Sequence, residues 1–145
     1  MRILFSLDKF TTRDGGADRL ARGAVRALCD TGHTVLVLEP GNASTERMEG
    51  SAVVRTAPMP APGVIRDTDW LTLVQNEYWQ KPVTEAIVAF RPDLILTQNM
   101  LAPSTIAAAR ACGVRSTILF HGHRCMSPTF FYREDALTAA EPSFF

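Results

Sequence analysis

The 145-residue chain has little lysine, Lys9 and Lys81 alone, and the remainder of its fifteen basic residues are arginine. Fifteen acidic residues cancel them, so the formal net charge is zero. Without a net positive field the composition argues against a broad nucleic-acid-binding face, and the arginine bias reflects genome composition as much as any need for bidentate anion contacts. Cysteine is scarce as well. Cys29, Cys112 and Cys125 make an odd number with no framework spacing, which fits a reducing cytosol better than a disulfide scaffold. No apolar run approaches the roughly 18 residues of a membrane span, and Met1-Arg2 leads straight into a short strand rather than a signal-peptide core. These absences point to a cytoplasmic protein and leave peripheral contact with the inner face of a membrane open. Asn42-Ala43-Ser44 therefore has no secretory context and reads as loop. The chain also lacks the Gly-x-Ser-x-Gly elbow and Cys-His-Asn set of hydrolases, and it lacks a Gly-x-Gly-x-x-Gly dinucleotide fingerprint.

What is present is a regular alternation of strand and helix. With 46% apolar residues the chain suffices for one domain, which should bury about 68–70% of its unfolded surface. The stretch Arg2 to Leu28 sets the pattern. Ile3, Leu4, Phe5 and Leu7 read as a buried strand; a polar loop and the pair Gly15-Gly16 follow. Ala17, Leu20, Ala21, Ala24, Val25 and Leu28 then fall at the spacing of a helix with one apolar face, opposite Asp18, Arg19, Arg22 and Arg26. Two glycines at a helix start permit a sharp turn and leave N–H groups without side-chain cover, which suits a phosphate; the plainer alternative is a tight turn and nothing more.

Gly32 is placed to cap that helix in the left-handed conformation, His33 sits at its end, and Thr34 to Leu38 forms the second strand. Glu39 to Ser51 reads as loop, and Ala52 to Thr56 as a short third strand. Pro58, Pro60 and Pro62 enforce an extended connection, after which Asp67 to Asp69 offers caps for a helix carrying Trp70, Leu71, Val74 and Tyr78 on one face. Pro82 either starts a new helix or kinks the old one, and Val83, Ala86, Ile87 and Phe90 continue its stripe. Trp70, Tyr78 and Trp79 suit either an acceptor groove or, as such stripes more often do, the core. Arg91-Pro92-Asp93 breaks the helix, and Leu94 to Thr97 is the fourth strand, with Gln98-Asn99-Met100 as loop beyond it. A helix runs from Pro103-Ser104 through Cys112 to Gly113, and Ser116 to Phe120 is the fifth strand. Such alternation demands right-handed crossovers. It predicts an α/β, Rossmann-like open parallel sheet in the order 3-2-1-4-5 with helices on both faces.

In such a sheet ligands gather at the carboxyl ends of the strands, where Asp8 to Gly16, Thr97 to Asn99 and His121 to Arg124 would meet. His121, directly after a strand and followed by Gly122, suits a hydrogen bond to a sugar hydroxyl or the steadying of a developing charge. A partly buried, backbone-bonded histidine is the equal alternative. His121-x-His123-x-Cys125 is a weak zinc pattern, three ligand types in five positions without a distant fourth, and no metal is expected. Glu39 ends the second strand about 20 residues after the glycines, where a ribose-binding acid would stand in a dinucleotide module.

These residues carry a resemblance. Gly15-Gly16-Ala17-Asp18-Arg19-Leu20, then Ala27-Leu28 and Gly32-His33-Thr34-Val35, are similar to the "GGAER…L…aL…GHeV" opening of family 4 (group 1) glycosyltransferases of the GT-B fold. Arg91-Pro92-Asp93-Leu94-Ile95, Ala102-Pro103-Ser104, Ala109-Arg110-Ala111-Cys112-Gly113-Val114 and Leu119-Phe120-His121-Gly122 follow in that family's order. The resemblance spans nearly the whole chain. It departs from the family where Asp18 replaces the usual Glu, where Arg115 replaces a Pro, and where Thr97-Gln98-Asn99 lacks a His after the fourth strand.

The resemblance implies retaining transfer of a sugar from a nucleotide-diphosphate donor to a glycan, lipid or small-molecule acceptor, in a cleft between two Rossmann-like domains. Gly15 and Gly16 would approach the donor diphosphate, and His121 would be the catalytic histidine near the reacting sugar. Gln98, Asn99, Gly122 and Arg124 would face the acceptor. Arg13, Arg19 and Arg124 would meet an acidic acceptor or remain solvated. No cofactor is implied beyond the nucleotide sugar as substrate. The donor-binding half with its Glu-x7-Glu motif is not in these residues. The expectation is thus an acceptor-side N-terminal domain, inactive alone, whose donor half is supplied in cis or by a separate chain. Ser143-Phe144-Phe145 suggests either a shortened chain or a surface for association. A dinucleotide-binding module and a non-catalytic subunit of a split transferase are the alternatives.

Overall fold

A computed structural model describes residues 1–8, 10, 16–58, 77–98 and 101–119. In chain order these form β1 (Arg2–Ser6), α1 (Gly16–Asp30), β2 (Thr34–Gly41), β3 (Thr45–Glu49), β4 (Ala52–Pro58), α2 (Glu77–Phe90), β5 (Leu94–Gln98), α3 (Ala102–Ala111) and β6 (Ser116–Leu119). The six strands make one sheet in the order β3-β4-β2-β1-β5-β6. All neighbours pair parallel except β3, which runs antiparallel along β4.

Alternation along each strand builds two cores. In β1, Leu4 faces one side and Phe5 the other; in β2, Leu36 and Leu38 oppose Val35 and Val37. Leu4, Leu36, Leu38 and Ile95 pack beneath α2 and α3 with Trp79, Val83, Ala86, Ala108 and Ala109. Phe5, Val35, Val37 and Val54 pack beneath α1 with Ala21 and Val25. Both faces are therefore covered, as buried parallel strands require.

Helix ends follow the sequence closely. Gly32 adopts a φ of 82°, the Gly32 N–H bonds the Cys29 carbonyl and the His33 N–H reaches back to Leu28. Gly113 repeats the motif at 67°, with its N–H on Arg110 and the Val114 N–H on Ala109. Only glycine takes up that backbone without a Cβ penalty, so both carbonyl ends are closed before the chain enters the next strand. Pro82 neither starts nor breaks a helix: α2 runs through it.

The parallel core, β4-β2-β1-β5-β6, has the expected 3-2-1-4-5 connectivity. The correction lies at its edge, where residues 45–49, read as loop, form β3. Every residue of Thr-Glu-Arg-Met-Glu is exposed or half-buried, so the strand carries no apolar alternation. It is held by its register to β4 and by ion pairs on both faces. Glu46 Oε2 accepts from Arg55 Nη2 at 2.8 Å, and Glu39 Oε1 accepts from Arg47 Nη2 at 2.7 Å. β2 and β4 also run longer than expected, to Gly41 and Pro58, because their parallel ladder continues through Pro40 with Ala57 and Gly41 with Pro58. Pro60, Pro62, Trp70 and the first part of the expected helix, up to residue 76, lie outside the described residues, while Pro58 ends β4.

Candidate functional site

The chain leaves β1 for β2 on one side and later reaches β5 on the other, so the switch point of the sheet lies between the carboxyl ends of β1 and β5. Ser6 pairs with Thr97 at that edge. Beneath it, fully buried hydroxyls form a directed chain. Trp79 Nε1–H donates to Ser6 Oγ at 3.0 Å, Ser6 Oγ lies 2.8 Å from Thr105 Oγ1, and Thr105 donates to the Leu101 carbonyl at 2.8 Å. With the ends of the chain fixed by an indole donor and a carbonyl acceptor, Ser6 must donate to Thr105.

Above this floor two carboxylates hold backbone amides. Asp8 Oδ1 accepts from the Leu101 N–H at 3.0 Å, capping α3, whose N-cap residue supplies no side-chain bond of its own. Glu39 Oε2 accepts from the Phe10 N–H at 2.7 Å while Oε1 accepts from Arg47. Arg22 Nη1 reaches the Phe10 carbonyl at 3.2 Å, so Phe10 is held at both its backbone polar groups.

The consequence is a division between two helix starts. The N-terminus of α3 already has its anion, the Asp8 carboxylate. That of α1 opens on Gly16, which is exposed and whose Cα has open space where a side chain would go. Among the described residues, no side chain lies where a Cβ at Gly16 would go, so the first residue of α1 itself adds no cover to its N–H. Asp8→Ala should uncap α3 and cost about 0.5–2 kcal/mol of stability in urea denaturation, with Asp8→Asn recovering most of it.

A family model described as a glycosyl transferase 4-like domain matches residues 15–142. This chain belongs to the glycosyl transferase 4-like family. The fold agrees with that membership. The UDP-GlcNAc 2-epimerase of Methanocaldococcus jannaschii superposes with a TM-score of 0.54 at 12% identity over 82% of this chain and 31% of its own. The apo UGT2 of Phytolacca americana gives 0.57 at 14% identity over 83% and 29%. The α,α-trehalose 6-phosphate synthase of Burkholderia multivorans gives 0.53 at 18% identity over 82% and 33%. At these identities the likeness is one of fold, shared by a synthase and an epimerase alike. The chain spans about a third of the length of these structures. No curated protein matches it by sequence.

Within this glycosyl transferase 4-like domain the expected site residues divide. Gly16 opens α1 as expected. Gln98 is the last residue of β5 rather than part of a loop, and its side chain is fully buried. It offers an acceptor no exposed surface. Gly15, Asn99, His121, Gly122 and Arg124 lie outside the described residues, as do Arg13 and the His121-x-His123-x-Cys125 run. Among the described residues no three His, Cys, Asp or Glu side chains gather as metal ligands, and no helix is long and apolar enough to cross a membrane. Trp79 belongs to the core, whereas Tyr78 beside it is exposed. Burial, and secondarily Asp30, push the Cys29 thiol above its ordinary pKa, the direction that lowers its thiolate fraction.

Asp8 and Phe10 fall in the Asp8 to Gly16 stretch expected at the site, but their bonding partners, and the parts played by Arg22 and Arg47, were not legible in the sequence. Asp8 alone carried a signal, a carboxylate directly after the first strand. The partner of Arg47 lies two strands away and is invisible to periodicity.

Proposed function

We propose that this domain is the acceptor-side half of a retaining glycosyltransferase that takes sugar from a nucleotide-diphosphate donor. The α1 N-terminus at Gly16 would form the donor-phosphate edge of a cleft completed by a donor-binding half, in cis or on a separate chain. The observation that carries the reading is the open Gly16 helix start at the switch-point edge of a chain matched by the glycosyl transferase 4-like model over residues 15–142. His121 is the proposed catalytic residue, and Asn99, Gly122 and Arg124 are the proposed acceptor contacts. The acceptor is a glycan, lipid or small molecule, and neither a metal nor a separate cofactor enters the proposal.

Glu39 speaks against the dinucleotide alternative. A ribose-binding acid needs a carboxylate open to two hydroxyls, and here one oxygen is bonded to Phe10 and the other to Arg47.

The test uses the isolated chain. A ligand at 100 times its dissociation constant adds about 2.7 kcal/mol, which for a domain of this size raises Tm by several degrees. NAD should give no such shift, and the chain alone should not turn over nucleotide sugars. A clear NAD stabilisation would establish the dinucleotide module instead. Turnover by the chain alone at rates of about 1 per second or faster, typical of enzymes, would overturn the half-site reading.

A further inference from the structure

Glu39 is a carboxylate that the proposed transfer does not use, and it is 5% exposed. A buried charge is costly unless it is both paired and hydrogen-bonded. Glu39 meets both conditions in an unusual way. Its countercharge, Arg47, comes from β3, while its second bond goes to a backbone amide in the connection that leads to Gly16. The strand register explains the reach. Arg47 pairs with Val54 and Val54 with Val37, so Arg47 lies on one row across the sheet, and Glu39 follows Val37 on the same α1-facing side. The polar edge strand thus delivers a guanidinium to the carboxyl edge of β2. At the other end of the relay Phe10 is nearly immobilised: its ring is 2% exposed in the α1-side core, its N–H is on Glu39 and its carbonyl on Arg22 of α1.

We propose that Glu39, locked by Arg47, is a positioning residue that fixes the start of the donor-phosphate connection through Phe10. It contacts neither donor nor acceptor. The inference rests on the reading of Gly16 as the donor-phosphate edge, and it assigns β3 a purpose beyond covering the sheet.

Two measurements test it. In the 145-residue chain, Glu39→Ala should reduce hydrogen-exchange protection of the Phe10 amide by about 10- to 100-fold, as expected for loss of a charge-assisted bond, with β1 and β5 amides unchanged. Glu39→Gln retains an oxygen for Phe10 and should restore most of that protection. Arg47→Met should fall between. In the transferase complete with its donor half, Glu39→Ala should raise donor KM about tenfold while acceptor KM stays within about twofold. A purely structural residue would lower the yield of folded enzyme and move neither KM. Should Glu39→Ala fail to fold, Arg47→Met carries the same two readouts with smaller changes in the same direction. Unchanged Phe10 protection, or lost protection with unchanged donor KM, overturns the proposal. Gly16→Val in the same enzyme separates the two levels. If it is fully active, the donor-phosphate reading itself has failed; if it is inactive while Glu39→Ala is normal, only the positioning role has.

Discussion

Gly16→Val should leave the domain folded and lower transfer by the complete enzyme about 100-fold or more. Two facts about Gly16 make the effects separable. An ideal Cβ built there meets no neighbouring atom of the described residues within 4 Å, and the residue does not sit in the left-handed backbone region, so valine meets no clash with them and no strained φ. Glycine is also a poorer helix former than valine, which offsets any small loss at the helix end. Stability should therefore change by less than about 0.5 kcal/mol, the usual range for an exposed substitution. Function should not be spared, because the same open space is where a diphosphate would approach the first N–H groups of α1, and a branched side chain fills it. Loss of even one well-placed donor to a developing charge costs about 10² to 10³ in rate, which sets the expected scale. Circular dichroism melts of the variant domain, beside steady-state kinetics of the variant enzyme, check both halves. Normal kinetics would return the glycine to the role of a turn.

The largest effect on folding should come from Trp79→Ala. Trp79 is fully buried between α2 and the sheet, in the cluster with Leu4, Val83 and Ile95. Its indole N–H also anchors the hydroxyl chain through Ser6 and Thr105. Removing the ring leaves a cavity and deprives Ser6 of its donor, a loss of about 3–5 kcal/mol. Set against a typical total of about 5–15 kcal/mol, that is roughly a fifth or more of the stability of the domain. The midpoint of thermal unfolding should fall by about 10–20 °C. Trp79→Phe fills most of the cavity but cannot donate to Ser6, so its cost should be nearer 1–3 kcal/mol, the penalty of the lost bond. If the two variants melted together, the hydrogen bond rather than the packing would carry the stability, and the core described for the α2 side would be wrong in emphasis.

The two predictions probe opposite sides of one edge. Below it, buried hydroxyls and Trp79 make a floor in which each polar group of the Trp79-Ser6-Thr105 chain has a partner. Above it, Asp8 and Glu39 each spend a carboxylate on a backbone N–H, tying the β1–α1 connection to α3 on one side and to β2 on the other. Asp8 thereby caps the start of α3, whereas α1 opens on a glycine that brings no side chain of its own. If the start of α1 seats a phosphate as proposed, such ties serve it, because positioning within about half an ångström demands rigid support.

Much of this could be read from residues alone, because its physics is local. The period-two alternation in Leu4-Phe5 and Val35-Leu36-Val37-Leu38, the helical spacing of Ala21 and Val25, and glycines at 32 and 113 specify strands, helices and their ends without reference to distant residues. Strand alternating with helix then leaves few topologies, and the parallel order followed. Family membership was legible for the same reason, since its motifs are short and sequential. Tertiary structure alone decided three things. Thr45 to Glu49 became a strand because β4 offered it a register and Arg55 and Glu39 offered its charges partners, none of which a polar pentapeptide announces. Gln98 turned inward because β5 continues two residues beyond its last apolar position, Leu96, which exchanges an open loop for the core. Glu39, suited by position to a ribose, became an internal clamp because Phe10 and Arg47 reached it first. Sequence reports what a residue can bond; only the fold brings a partner within 2.7 Å of each oxygen and so settles which bond is made.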